Sequence, residues 1–153
     1  MHVNEKELEQ YLKVLVMFRN MCAHNERLFS SYAHSDIPDT VIHKKLKIPQ
    51  TGEQYIYGKR DLFSLVIAFR YLLPKEDFLV FKKILADIIV KYMKNSNRLG
   101  ETELLKCMGF PLNWKDITRY KLFFKSGFNT KTLDIKNSVF LLCKASAHTQ
   151  NLL

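Results

Sequence analysis

Apolar positions recur at helical spacing along most of the chain. Leu8, Tyr11, Leu12, Leu15, Phe18 and Cys22 fall every three or four residues, and neither Gly nor Pro occurs before Pro38. That spacing predicts one amphipathic helix from about residue 5 to about residue 28. Asn4, with Glu7 three residues later, supplies a capping box at its start. Ser30, Ser31, Ser35, Asp36 and Pro38 then break the pattern. Residues 30–58 read as a long connector that carries Pro38, Pro49, Gly52, Gly58 and the basic cluster His43-Lys44-Lys45-Leu46-Lys47. A connector of that length is either functional or a surface loop with some local helix.

Asp61 is placed to cap a second helix through Leu72, whose stretch Leu62-Phe63-Ser64-Leu65-Val66-Ile67-Ala68-Phe69 is almost wholly apolar and predicts a buried helix. Pro74, followed by Glu76 and Asp77, marks the next helix start. A stripe of Phe78, Phe81, Ile84, Leu85, Ile88 and Tyr92 carries that helix to Lys94 as core, not as a base-stacking surface. Glu101–Met108 reads as a short helix closed by Gly109 and stopped by Phe110-Pro111. Asn113 is placed to cap a further helix from Trp114 to about Phe124, and Val139–Ala145 is a candidate last helix in a tail of weak signals. No repeat or second domain is evident. The expected fold is all-α, with a helical domain over residues 1–125 and a tail or last helix over 126–153.

Composition fits this reading. The 153 residues are 47% hydrophobic and 25% charged, with 5 Gly and 4 Pro, which suits a packed helical domain and not a turn-rich β-sandwich or a disordered chain. The three cysteines Cys22, Cys107 and Cys143, with no CxxC pair, suit a reducing compartment. The polar start lacks an export signal, and the apolar stretches are too short or too charged to span a bilayer. The expected location is the cytoplasm, with no membrane partner.

The formal charge of +9 is unevenly placed. Residues 1–40 carry 4 basic and 6 acidic side chains, so they contribute −2, and the remainder contributes +11. Such a surface attracts polyanions, although a solvated Lys-rich exterior would look the same by charge alone. Lys44, Lys45, Lys47, Lys59 and Arg60 are the first candidates to follow an RNA backbone.

The chemistry concentrates at the end of the first helix, in Phe18-Arg19-Asn20-Met21-Cys22-Ala23-His24-Asn25-Glu26-Arg27-Leu28. On a continuous helix Asn20, His24 and Arg27 share one face, while Arg19 and His24 stand about 140° apart. An arginine fork binds phosphate oxygens, and a histidine moves protons near neutral pH. RNA carries its own nucleophile in the 2′-OH, so these two types can suffice without a metal. His24, His34 and His43 lie nine or ten residues apart, without the close pairs of metal motifs. Cys22 falls on the apolar side, away from any base, and no Gly-rich phosphate loop or GxSxG elbow occurs. No cofactor is expected. A capping or packing role for one Arg and one His would give the same spacing.

This segment resembles the RNxxAHxxRL stretch of the abortive-infection Abi-like proteins of the HEPN superfamily, whose motif is Arg, four to six residues, then His. Leu73-Pro74-Lys75-Glu76-Asp77-Phe78 and Met108-Gly109-Phe110-Pro111-Leu112-Asn113-Trp114 resemble the same family, so the similarity runs over about residues 8–118. The resemblance implies an all-α HEPN bundle that forms a homodimer, with two motifs lining one cleft. It implies a metal-independent endoribonuclease of a phage-defence or toxin-like system, with RNA as substrate and an antitoxin or regulatory RNA as a further partner. His24 would be the general acid/base, Arg19 the phosphate clamp and Asn20 the orienting residue, with Arg27 a secondary RNA contact. Longer relatives carry a helical region before the motif, where eighteen residues stand here, so a truncated or short member is expected. The alternative is a non-catalytic RNA-binding or protein-interaction module.

Overall fold

The computed structural model describes residues 3–95 and 100–120. They form five α-helices, α1 (Glu5–Ala23), α2 (Val41–Lys45), α3 (Leu62–Leu72), α4 (Lys75–Asn95) and α5 (Glu101–Cys107), and a closing 3₁₀ turn (Trp114–Thr118). One antiparallel hairpin, β1 (Gln50–Thr51) with β2 (Gln54–Tyr55), pairs Gln50 with Tyr55 and Thr51 with Gln54. The fold is mainly helical. The expected helix over Val139–Ala145 lies outside the described residues.

α3 is the centre. Every residue from Phe63 to Tyr71 is buried, as an all-round apolar helix requires. α1 lays Tyr11, Val14 and Phe18 against the core, and Tyr11 stacks on Tyr71 of α3 with ring centroids 5.6 Å apart. From α4, Phe81 meets Phe69 edge-on at 4.9 Å. Phe110 bridges Phe63 at 5.0 Å and Trp114 at 5.3 Å, which locks the chain after α5 onto the same helix. Arg70 is buried with the rest. Its guanidinium lies 5.4 Å over the Phe78 ring and donates to the Tyr120 carbonyl.

The capping signals at Asn4, Asp61 and Gly109 act as expected. Asn4 Oδ1 accepts from the Glu7 N–H at 2.8 Å, and Glu7 Oε2 returns a bond to the Asn4 N–H at 2.9 Å. Asp61 caps α3 through the Ser64 N–H, and Gly109 closes α5 at φ +73°. Four expectations need correction. α1 ends at Ala23, five residues early, because Asn25 adopts the left-handed conformation at φ +54°. α4 buries Phe78 and Phe81 of the expected stripe and half-buries Ile84, Leu85, Ile88 and Tyr92, but its last fully buried position is Ile89 rather than Ile88. The segment after Asn113 is a 3₁₀ turn to Thr118 that Asn113 does not cap, its side chain donating instead to the Leu46 carbonyl at 3.1 Å, and residues 121–124 of the expected longer helix lie outside the described residues. The connector is no surface loop, since Ala33, Ile37, Ile42, Leu46, Ile48 and Tyr55 are all buried.

His43 organises that connector. The Thr40 N–H donates to its Nδ1 at 3.1 Å, so the proton sits on Nε2 and is donated to the Gly58 carbonyl at 2.9 Å. The ring stacks on Tyr55 at 4.7 Å. The Gly58 N–H in turn donates to Asp61 Oδ2 at 2.8 Å. Burial holds the His43 pKa below its ordinary value, against the opposing bond to Gly58. Burial also pushes Asp61 up to about 7, against the backbone N–H groups that favour its charge.

Two predictions follow from this packing. An added Cβ at Gly109 would stand 2.2 Å from Asp61 Cγ at a backbone angle unsuited to L residues. Gly109→Ala is therefore expected to cost about 2–4 kcal/mol in urea unfolding, by displacing the α3 cap. A variant as stable as the parent would refute that account. The second concerns pH. As pH falls from about 7 to about 5, the unfolded histidine takes up a proton that folded His43 resists, so this group weakens the fold. Asp61 does the opposite, since its neutral form is favoured on folding; its contribution is fullest below the ordinary 3.8 and is lost as pH rises through about 7. Asp61→Asn, which retains a cap, should steepen the loss of stability on acidification, and His43→Gln should flatten or reverse it. Urea midpoints at the two pH values measure both, and slopes equal to the parent's in both variants would contradict the assignment.

Candidate functional site

The site is built on the way α1 ends. Phe18 is fully buried and fixes the rotation of the last two turns, which leaves Arg19, Asn20, Ala23 and His24 exposed. The Asn25 N–H bonds the Cys22 carbonyl at 3.2 Å and the Glu26 N–H bonds the Met21 carbonyl at 2.9 Å. These two bonds, with Asn25 in the left-handed region, form a Schellman closure. His24 is the capping residue, and its N–H reaches the Asn20 carbonyl at 3.0 Å. A closed helix end thus fixes the backbone that carries the histidine.

Asn20 stands between the other two in helical projection, about 100° from Arg19 and about 40° from His24. Its Oδ1 accepts from Arg19 Nη1 at 3.1 Å, which holds the guanidinium towards the Asn20 side of the helix. Arg27 is not brought onto the face of Asn20 and His24, because the helix has already ended. Its guanidinium lies 5.5 Å over the Phe29 ring. Cys22 is half-buried on the inner side of α1, as its apolar spacing implies.

Beyond the motif the chain folds back along α1. Leu28 packs against the core, the Ser31 hydroxyl donates to the Arg27 carbonyl, and Ala33 is buried. The Ala33 N–H bonds the Arg60 carbonyl at 2.5 Å and the Ile37 N–H bonds the Lys59 carbonyl at 2.9 Å. A shallow groove of about 450 Å³ results, between Leu12, Val16, Met17 and Asn20 of α1 and the wall Ala33–Ser35, with Glu9 and Lys13 at its far end. His34, an exposed residue in that wall, lies across the groove from Asn20.

The basic candidates divide. Lys59 Nζ is engaged by the Ile37 carbonyl at 2.5 Å and by Asp39 Oδ1 at 2.6 Å, so it braces the connector. Lys45 lies 5.9 Å over the Tyr120 ring. Lys44, Lys47 and Arg60 are exposed, and the Arg60 backbone abuts the groove wall through Ala33. His43, part of the basic cluster by sequence, is a neutral core residue. No three His, Cys, Asp or Glu side chains among the described residues are grouped to hold a metal ion. No helix among them is long and apolar enough to cross a membrane.

Chemically, the helix end offers an oriented guanidinium, a carboxamide and an exposed imidazole, with a second imidazole at His34 across a groove with an apolar floor. Sequence reasoning missed His34 and the groove, since residues 28–37 lack periodicity and only the fold returns them to α1. No family model, curated protein or solved structure matches this chain.

The closure yields a prediction. Asn25→Gly should leave the thermal midpoint unchanged or slightly raised, because Gly suits positive φ. Asn25→Val should cost about 1–2 kcal/mol and fray the turn that holds His24. Equal stability of the two variants would show that the helix end is not held this way.

Proposed function

We propose that this chain is an endoribonuclease of a phage-defence or toxin-like system, in which Arg19, Asn20 and His24 from two copies line one cleft. The observation that carries the reading is the bond from Arg19 to Asn20 at 3.1 Å, one helical turn from an exposed His24 whose backbone is closed by its own hydrogen bonds. All three side chains face solvent, and none of them is needed to pack the core. The likeness of the segment to the Abi-like motif supports the same assignment.

In this mechanism one His24 takes the proton of a 2′-OH. The freed oxygen attacks the adjacent phosphorus, and the 5′-oxygen leaves with a proton from the other copy's histidine. Arg19 neutralises charge on the phosphoryl oxygens, and Asn20 keeps the guanidinium aimed. The products are a 2′,3′-cyclic phosphate and a 5′-hydroxyl. RNA supplies the nucleophile, so no metal enters. Lys44, Lys47 and Arg60 serve the strand outside the cleft, and an antitoxin or regulatory RNA would act by occupying the same surface. A second reading, a protein-interaction module, draws on Val16, which is 56% exposed in the apolar groove of α1.

Purified protein incubated in EDTA with single-stranded and structured RNA tests the proposal. Wild type is expected to cleave and leave cyclic phosphate ends. His24→Ala and Arg19→Ala should each lose at least about a hundredfold in rate, with thermal midpoints unmoved because both side chains are exposed. Absence of cleavage by a folded dimer would remove the nuclease reading. Variants that lose self-association while RNA binding persists would establish the interaction reading instead.

A further inference from the structure

Among the described residues, the aromatic side chains left exposed both lie in the segment that leaves the motif. Phe29 is 42% exposed and Tyr32 is 59% exposed, while the other aromatics are buried or half-buried. This exposure is not that of a loose loop. The backbone on either side is pinned by the Ser31 bonds to Leu28 and Arg27 and by the Ala33 and Ile37 bonds to Arg60 and Lys59. Ala33, next to Tyr32, is 4% exposed. The fold thus holds this backbone against the core and turns two aromatic rings outward, at a cost in unburied apolar surface.

We infer that Phe29 and Tyr32 form a stacking platform for unpaired bases, so that the substrate is single-stranded RNA whose scissile phosphate lies at Arg19 and His24. The inference rests on the endoribonuclease reading for the cleavage step but not for binding. Three observations favour this occupant. The Arg27 guanidinium over Phe29 extends the platform with a second flat cationic surface, of the kind that stacks on bases. The groove beside it presents a carboxamide at Asn20 and an imidazole at His34 above an apolar floor, which suits the edge and face of a splayed base. Charge decides against a duplex. Residues 19–36 hold two cations, Arg19 and Arg27, and two anions, Glu26 and Asp36. A surface of zero formal charge gains nothing by following a phosphate ladder, whereas stacking tolerates it. A-form RNA keeps its bases stacked and out of reach, so the platform selects strands that are already unpaired.

The test uses His24→Ala protein, which binds without cutting, and a fluorescent RNA of about a dozen nucleotides, single-stranded or annealed to its complement. The parent is expected to prefer the single strand. Phe29→Ala and Tyr32→Ala should each weaken that binding roughly fivefold to a hundredfold, leave duplex binding and the thermal midpoint unchanged, and be rescued by Tyr32→Trp at the second position. Equal binding by both alanine variants, equal affinity for the duplex, or an effect confined to self-association, which would mark the rings as a protein-contact surface, each overturns the inference. The two readings fail separately. Ring-dependent binding by a wild type that never cleaves leaves the platform and removes the nuclease, and cleavage indifferent to both rings does the reverse.

Discussion

The two hydrogen bonds made by the Gly58 backbone are the interaction on which the remaining architecture depends. Its carbonyl receives the Nε2 proton of His43, and its N–H meets the carboxylate of Asp61. The backbone of one residue therefore joins the buried connector to the cap of the central helix. Asp61 carries the link further, because its carboxyl group occupies the space over Gly109 and so places α5 and the aromatic chain Phe63, Phe110 and Trp114. Gly58 itself has φ +76°, and a Cβ there would stand 2.9 Å from Ile67 and 3.1 Å from His43 Nε2. No larger residue fits. Buried polar groups cost stability unless paired, and here each pairs with a backbone group, which makes the arrangement selective for one chain path.

The consequence reaches the candidate site. Residues 59 and 60 follow Gly58 directly, and their carbonyls receive the Ile37 and Ala33 N–H groups that form the groove wall. Lys59 adds an ion pair with Asp39 on the same side. The motif helix is fixed independently, through Phe18 and the Tyr11–Tyr71 stack on α3. Both walls of the groove thus refer to α3, one by packing and the other by hydrogen bonds through Gly58. That shared reference is what lets two exposed stretches, far from any enclosed cavity, keep a defined relation to each other.

What the sequence revealed was what acts locally. Asn4 with Glu7, Asp61 before an apolar run, and Gly109 after α5 each work through neighbours three to five residues away, and each appears as read. The end of α1 was hidden because Asn25 is an ordinary polar residue at an exposed position until its φ is known, and apolar spacing ran on to Leu28 regardless. The connector escaped because its buried residues, from Ala33 to Tyr55, answer to α3 rather than to a period of their own. His43 stood in a basic cluster by sequence and lies neutral in the core, where Arg70 is also buried, stacked on Phe78. For the candidate site, helical spacing put Asn20 and His24 on one face, and only the resemblance joined Arg19 to them. The places of Arg27, Lys59 and His34 were not legible, since tertiary folding alone decides where each points.

The separation of Arg19 from His24 also bears on stoichiometry. About 140° of helix surface lies between them, with Asn20 inside that arc. A phosphate gripped by one guanidinium therefore sits off the imidazole of the same chain, and a single copy offers poor alignment for attack and departure along one line. Under the proposed function, a second copy related by a twofold axis removes the difficulty, since on that reading each arginine works with the other copy's histidine.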